Sequence, residues 1–350
     1  MEKIHKAWLR AAATLMVAAA AGACSSGSAD EPEAPEEAVG LPVRFSAAPA
    51  DASSRAPMTA TAFAADGTAF AVWGVYRSSD GKTFPLFDAT EVKRTAGEWV
   101  YSGERLWYPT FTYDFRALYP ASGVDASFTA EGNTLSVKDF DATKGIDLMA
   151  AAHTRTVNPL SVTVNRPEPQ PAVDLGFRHL LSRVTIAGRS DDRYLGSDGT
   201  PDGSQRNIVV TSFKISGLAT TGSWNGATFA ADGSTTGTWT PGAQTATLAA
   251  DCGTGIPLGN EPTDLFAGDK VIMAIPQSVS GLKVEIVYHY TDGSDGDHTA
   301  VTTLNCDWKP GKSYRYNFAV NTHIFFDVPT VEDWTRAPVN DSHMNIDVRK

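Results

Sequence analysis

Side chains alternate between apolar and other types along many short stretches of this chain, and this alternation limits the fold more than any other feature. The clearest stretch places five apolar residues at every second position: Leu282, Val284, Ile286, Tyr288 and Tyr290. Successive side chains of a β-strand point to opposite faces, so the pattern predicts a half-buried strand. The turn Thr291-Asp292-Gly293 follows and predicts a hairpin with residues 299–304.

Turn-forming residues separate these stretches throughout the chain, which contains 30 glycines and 20 prolines among its 350 residues. No helical periodicity is sustained after the N-terminal leader. The pattern therefore predicts an all-β fold. A chain of this length exceeds one ordinary hydrophobic core and suits two domains of about 130 to 150 residues each.

Three alternating prolines mark the predicted boundary between the domains, in the stretch Arg166-Pro167-Glu168-Pro169-Gln170-Pro171. Such a stretch favours an extended polyproline conformation. We therefore predict an N-terminal domain at residues 41–168 and a C-terminal domain at residues 169–350.

The apolar positions change phase early in the second half, from odd numbers up to Phe177 to even numbers from Leu180 onward. A slip of one residue would turn the core face of a strand to solvent unless an extra residue absorbs it. We therefore predict a β-bulge near residues 179–181.

The first 23 residues are predicted to be a signal peptide. Basic residues precede an apolar run at residues 11–21, which is too short to span a bilayer. Cys24 follows Ala21-Gly22-Ala23, which resembles the lipobox of bacterial lipoproteins, although Ala21 stands where a larger aliphatic residue is usual. We expect lipidation of Cys24, and the alternative is ordinary cleavage with a free thiol. Residues 24–40 are acidic and are predicted to form a solvated tether.

A short alternating strand at residues 41–47 follows the tether. Three apolar side chains share one of its faces: Leu41, Val43 and Phe45. The next basic residue lies in small, flexible surroundings, in Ser53-Ser54-Arg55-Ala56-Pro57. We hypothesise that the strand plugs a sheet edge until a protease cuts between Arg55 and Ala56. Arg44 is a second candidate for the cut, although cleavage there would split the strand.

No arrangement of residues predicts a catalytic or metal site. The histidines lack metal-ligand spacing, and the chain contains no Gly-x-Ser-x-Gly nucleophile elbow. His179 is interpreted as a core histidine rather than a catalytic base. The net charge of −11 argues against nucleic acid as a partner, because phosphate binding needs clustered lysines and arginines. We expect a non-enzymatic protein without a cofactor.

Three features leave alternatives open. The acidic, glycine-rich loops at residues 191–202 and 292–297 suit either calcium binding or ordinary hairpin tips. Trp224 and Trp239 suit either stacking on sugars or capping of the core. Cys252 and Cys306 suit either a disulfide, which an exported protein allows, or two buried free thiols.

A series of motifs, taken together and in order, resembles the fimbrillin-family lipoproteins of Bacteroidales. The motifs cover nearly all of the chain after the leader: Trp99-x-Tyr101, Trp107-x-Pro109, Tyr113-x-Phe115-x-Ala117-x-Tyr119-Pro120, Asp147-Leu148-Met149-Ala150, Phe177-x-His179-x-x-Ser182-Arg183-Val184, Ile275-Pro276-Gln277, Trp308-x-Pro310-Gly311-Lys312-x-Tyr314-x-Tyr316 and Val331-x-x-Trp334. Each motif is weak by itself, whereas the ordered set is specific.

The resemblance implies two transthyretin-like β-sandwich domains in tandem, in a subunit of a type V pilus or a related surface fibre. It implies that the lipid on Cys24 holds the precursor at the outer membrane, and that an arginine-specific protease then removes the lipid and the strand at residues 41–47. A strand of another copy or a related fimbrial subunit would fill the vacancy. The candidate donor strand carries three alternating apolar residues: Met344, Ile346 and Val348.

A second function stays open at this point. A surface lipoprotein that never polymerises, such as a fibre anchor or tip adhesin binding glycan or a host protein, would carry the same leader and the same strands. The donor segment is short and flanked by polar residues, which leaves room for such a role.

Overall fold

Hydrogen-bonded strands make up most of the computed structural model, as the alternating sequence predicts. The structure describes residues 41–49, 58–108, 111–157, 171–195, 198, 201–266, 271–293, 296–321 and 323–334. The prediction of an almost entirely β fold is confirmed. Within the described residues, no helix has the length and apolar character that crossing a bilayer requires.

The elements before residue 158 are mostly strands of four to thirteen residues. In chain order they are β1 (Phe45–Pro49), helix α1 (Ala60–Phe63), β2 (Ala69–Arg77), β3 (Thr83–Thr95), β4 (Glu98–Tyr101), β5 (Thr112–Tyr119), β6 (Asp125–Thr129), β7 (Thr134–Asp141), a 3₁₀ turn (Ala142–Lys144) and β8 (Met149–Thr156).

The elements after residue 170 are all strands. In chain order they are β9 (Val173–His179), β10 (Ser182–Ser190), β11 (Arg193–Leu195), β12 (Pro201–Gln205), β13 (Ile208–Leu218), β14 (Thr221–Asn225), β15 (Thr238–Pro241), β16 (Ala246–Ala249), β17 (Ile256–Leu258), β18 (Thr263–Asp264), β19 (Ile272–Ala274), β20 (Ser278–Tyr290), β21 (His298–Asp307), β22 (Lys312–Val320), β23 (Ile324–Phe326) and β24 (Thr330–Asp333).

A seven-stranded sheet contains most of the early strands, in the order β1-β9-β8-β5-β2-β3-β4. Its strand β2 is apolar on both faces because it lies between β3 and β5 and because both faces are covered. Phe70 of β2 packs into an aromatic-rich core with Trp107 and Phe115, whereas Trp73 packs into a second core on the opposite face.

Two further sheets share the largest core. The six-stranded sheet contains β18, β10, β22, β23, β19 and β24, and the five-stranded sheet contains β16, β13, β20, β21 and β17. Apolar side chains of β10, β13, β20 and β22 meet in this core. The predicted hairpin is confirmed, because β20 pairs antiparallel with β21 in a register that includes Leu282 opposite Leu304.

A four-stranded sheet joins early and late strands, in the order β15-β14-β7-β6. Strand β9, which follows the predicted domain boundary, likewise pairs with β8 and β1. The described residues between 41 and 334 belong to one compact unit. The boundary between residues 168 and 169 lies outside the described residues, and the division into two transthyretin-like domains stays a prediction.

The predicted bulge at residues 179–181 is wrong. Strand β9 ends at His179 in the seven-stranded sheet, and β10 begins at Ser182 in the six-stranded sheet. Leu180 and Leu181, which connect them, are both fully buried in the second core. The apolar phase therefore changes because the chain passes from one sheet to the next, and no extra residue is needed.

Replacing Gly188 by alanine should destabilise the protein by about 1 to 3 kcal/mol, because overpacking a closed core forces side chains from their preferred positions. A Cβ atom at Gly188 would lie 2.3 Å from Cζ of Phe318, which is fully buried. Urea unfolding of the purified protein measures the change. Gly296 is the matched control, because an added Cβ meets nothing within 4 Å there; equal midpoints for the two variants would contradict the close approach.

Candidate functional site: the N-terminal edge segment and its slot

Residues 41–49, which we call the edge segment, lie between residues 105–107 and strand β9, and we call the space that the segment fills the slot. The first half of the segment pairs with residues 105–107, where Pro42 forms an antiparallel bridge with Leu106. The Val43 N–H donates to the Arg105 carbonyl at 2.8 Å, and the Trp107 N–H donates to the Leu41 carbonyl at 3.0 Å. The start of the segment is therefore held by backbone hydrogen bonds on this flank.

The second half of the edge segment pairs with the other flank. Strand β1 runs parallel to β9, with Phe45 opposite Val173 and Pro49 opposite Phe177. In the described part of the chain, the ladder between β9 and β8 covers only Arg178 and His179. The stretch of β9 that precedes Arg178 therefore has β1 as its strand partner.

The side chains of the edge segment alternate as the sequence predicts, although the regular strand begins at Phe45 rather than at Leu41. Val43 and Phe45 are buried, whereas Arg44 and Ser46 are exposed. Leu41 is half-buried against the aromatic core. The segment thus contributes one face to the core, as a strand belonging to the seven-stranded sheet does.

Three aromatic rings surround Phe45, and we call them the Phe45 socket: Phe87, Tyr101 and Phe115. Their centroids lie 5.3, 5.8 and 5.9 Å from that of Phe45, with interplanar angles of 65°, 68° and 87°. Edge-to-face contacts of this kind add about 0.5 to 1.5 kcal/mol per pair beyond simple burial. Phe45 is therefore the main anchor of the edge segment.

Two side chains of β4 hold carbonyl groups of the edge segment. The Tyr101 hydroxyl donates to the Val43 carbonyl at 2.7 Å, and the Trp99 indole N–H donates to the Ala47 carbonyl at 3.3 Å. Burial raises the pKa of Tyr101, so the hydroxyl keeps its proton and stays a donor at neutral pH. Between β1 and β4 lies an open groove of about 890 Å³, with Arg44 and Glu98 among its lining residues.

Replacing Phe45 by alanine in uncut protein should lower the free energy of unfolding by about 3 to 5 kcal/mol, because a buried ring is lost from a closed socket. Ser46→Ala is the matched control on the exposed face and should change stability by less than about 0.5 kcal/mol. Urea unfolding in an Arg55→Ala background measures both. A Phe45→Ala midpoint equal to that of the control would contradict the anchoring role of the ring.

Most of the predicted processing residues lie outside the described residues: Cys24, Arg55, Ala56, Met344, Ile346 and Val348. The described chain resumes at Met58, whose N–H donates to Oδ2 of Asp147 at 3.3 Å. At the other end, Trp334 is the last described residue, and its ring stacks on His179 at 4.1 Å between centroids. Met58, which follows the proposed cut, and Trp334, the last described residue, thus contact the same pair of residues.

That pair is a buried histidine and carboxylate. Nδ1 of His179 lies 2.9 Å from Oδ1 of Asp147, and each side chain is 3% exposed. The interpretation of His179 as a core histidine agrees with this burial. Sequence reasoning did not find the partner, because Asp147 lies 32 residues away and no local pattern connects the two.

One carboxylate from each acidic loop lies beside Arg206. Its guanidinium lies 3.6 Å from the Asp192 carboxylate and 3.7 Å from the Asp292 carboxylate, and it stacks over the Tyr290 ring at 3.4 Å. Burial and the hydrogen bond to Asp192 raise the pKa of Tyr290. Within the described residues, no group of three or more His, Cys, Asp or Glu side chains could hold a metal ion. An internal cation thus neutralises these carboxylates.

The two tryptophans that suited sugar stacking have structural contacts. Trp224 is 1% exposed and donates its indole N–H to the Thr236 carbonyl at 2.9 Å. Trp239 is half-buried and donates to the Leu180 carbonyl at 2.7 Å. Both indoles therefore pack against the core, and neither face of the Trp224 ring is exposed for stacking on a sugar.

Cys252 and Cys306 are both free and buried. Of the two alternatives, the structure has two buried free thiols and no disulfide between them. Cys252 lies beside Phe213 of β13, whereas Cys306 lies on β21 opposite Val279, with β20 between the two strands. Cys252 follows β16, on the side of β13 away from β20, so three strand spacings separate the two cysteines by about 14 Å across the sheet, and their positions differ by about 20 Å along it. A disulfide needs a Cα separation below about 7 Å.

Both thiols should react slowly with a thiol reagent such as DTNB at pH 8, and quickly in denaturant. Burial raises the pKa of Cys306 to about 11 and also raises that of Cys252, so little reactive thiolate forms. We expect native rates at least about 100-fold below those of the unfolded chain. The Cys24→Ala protein isolates these two thiols. Failure to detect two free thiols in denaturant would contradict the structure.

A sequence model of the fimbrillin-like family matches residues 54–334. This match covers most of the chain, and the chain belongs to the fimbrillin-like family. It is therefore a pilus-related protein of the cell surface, in a family of structural rather than enzymatic proteins. The sequence-based recognition of the family is confirmed.

Solved structures of Bacteroidales proteins are similar to this chain at low sequence identity. A candidate cell adhesion protein of Bacteroides ovatus is 13% identical with a TM-score of 0.48, covering 84% of this chain and 97% of its own. Another from Bacteroides uniformis is 16% identical with a TM-score of 0.42, covering 84% and 98%. The fimbrial anchor protein Mfa2 of Porphyromonas gingivalis is 10% identical with a TM-score of 0.31, covering 77% and 90%. Comparison with curated proteins gave no match.

Proposed function

We propose that this chain is a structural subunit of a type V pilus or a related surface fibre that assembles by strand exchange. The edge segment is the temporary plug of this scheme. Family membership supports the fibre, and the pairing of the edge segment supports the exchange. The single observation that carries the proposal is that the segment is bonded on both flanks yet continues to the rest of the folded chain only through residues 50–57, which include Arg55.

Removal of the plug would leave a vacancy that demands a replacement. Backbone groups of residues 105–107 and of β9 would lose their partners, and the core would lose the side chains of Val43 and Phe45. A buried polar group without a partner costs about 1 to 3 kcal/mol. An incoming strand restores these bonds, with the backbone supplying affinity and alternate side chains supplying register.

The proposed order of events starts at the membrane. Lipid on Cys24 holds the precursor at the outer membrane, and an arginine-specific protease cuts between Arg55 and Ala56. The lipid and the plug leave together, because both lie before the cut. A strand from another copy or a related subunit then enters the vacancy, with the segment of Met344, Ile346 and Val348 as the candidate donor. No cofactor and no catalytic residue takes part.

Replacing Arg55 by alanine should leave an uncut, lipid-bound monomer and should abolish assembly that depends on this slot. Mass spectrometry of surface material measures the N-terminus, and electrophoresis of unboiled samples measures polymer. Arg44→Ala is the matched control and should be cut as the wild type is. Wild-type polymer yield from the Arg55→Ala variant would contradict the cut site.

The second function of the sequence analysis gives a different result in the same experiment. A non-polymerising anchor or tip adhesin would retain an intact lipid on Cys24 in the wild-type protein. A mature N-terminus at Ala56 would instead favour the fibre subunit.

A further inference from the structure

The Phe45 socket restricts which side chain fits at the position of Phe45. Phe45 is the largest side chain that the edge segment places in the core, and the rings of Phe87, Tyr101 and Phe115 surround it edge-on. Phe45 is 6% exposed and Phe115 is fully buried, so the three rings cover most of the Phe45 ring, although Phe45 and Tyr101 also line the open groove between β1 and β4. A smaller side chain at this position would leave unfilled volume between rigid aromatic walls.

The remaining contacts of the edge segment discriminate less between incoming strands of different sequence. Tyr101 and Trp99 donate to the carbonyls of Val43 and Ala47, and any residue type offers such a carbonyl. The ladder to β9 consists of backbone bonds, and the Ser46 hydroxyl also donates to the Asp174 carboxylate at 3.2 Å. That side-chain bond is exposed, so water replaces it when it is lost and it contributes little to selection. Discrimination between incoming strands therefore depends on the inward side chains, and the ring of Phe45 is the largest of them.

The candidate donor of this chain carries no Phe, Tyr or Trp, since these residues are absent from residues 335–350. If Met344 takes the position of Val43, then Ile346 enters the socket and leaves part of it empty. If Met344 itself enters the socket, then Ser342 takes the position of Val43, which is 1% exposed. Each of these two registers puts an unsuitable side chain into a buried position.

We propose that the slot takes a strand with an aromatic residue at the position of Phe45, and that this strand comes from a different subunit rather than from a second copy of this chain. The inference rests on the proposed strand exchange and names the partner for it. The incoming strand runs parallel to β9, as β1 does, and carries small aliphatic residues on either side of its aromatic anchor. This chain would then occupy a junction between unlike subunits.

Peptide exchange into the cut protein tests the proposal. A full-length Cys24→Ala protein, with the recognition sequence of a site-specific protease in place of residues 50–55, is cut in solution. Fluorescent peptides are then added, and their binding is followed by anisotropy. The peptides are residues 41–49, the same peptide with Phe45→Ile or Ser46→Ala, residues 340–350, and the latter with Ile346→Phe or Met344→Phe.

We expect the 41–49 peptide and its Ser46→Ala control to bind equally, and the Phe45→Ile peptide to bind at least about tenfold more weakly, since lost filling of an apolar pocket costs about 10- to 200-fold. The 340–350 peptide should bind weakly, and one of its two aromatic variants should gain at least about tenfold. Equal binding of the Phe45→Ile and 41–49 peptides, or tight binding of the unaltered 340–350 peptide, would overturn the selectivity while leaving strand exchange intact. Failure of the 41–49 peptide itself to enter the slot would contradict strand exchange.

Discussion

Backbone hydrogen bonding on two flanks of one slot is the constraint on which the first sheet depends. The edge segment bonds to residues 105–107 with its first half and to β9 with its second half. The segment therefore changes partner midway, near Arg44, and bridges the two flanks. A strand in this position is required for the core to close, yet its own connection to the remaining chain is one short stretch. The fold therefore needs a strand in the slot, but it does not need that strand to come from the same chain.

Local geometry accounts for what the sequence could predict. Alternation reflects the pleat of a single strand, so the faces of the edge segment and the pairing of β20 with β21 followed from it. Phase changes carry less information, because a bulge and a passage between sheets alter the parity in the same way. At residues 179–181 the chain passes between sheets, and only the long-range pairing of β10 with β22 distinguishes the two. The family was recognised from an ordered set of motifs spread along the chain. Such a set reflects the whole fold, whereas periodicity reflects only single strands.

Partners from distant segments account for what the sequence could not predict. The acidic loops looked suited to a cation because their carboxylates are dense, but the cation beside Asp192 and Asp292 is Arg206, which lies only four residues after the first loop and 86 residues before Asp292. Asp147 belongs to one of the motifs that resemble the fimbrillin family. Its contact with His179 nevertheless depends on the pairing of strands that places the two side chains side by side. The cysteines lie in one core and still cannot pair, because their separation is set by strand order.

Strand β9 contacts both regions that take part in the proposed assembly, the slot and the residue from which the candidate donor segment continues. Its first five residues form the ladder with β1, and its last residue, His179, stacks on Trp334, from which the candidate donor segment continues. The carboxylate that holds His179 also accepts the N–H of Met58, which follows the proposed cut. If strand exchange takes place as proposed, β9 would therefore link the occupied slot to Trp334, the last described residue before the candidate donor segment, through one strand and one stacked pair of rings.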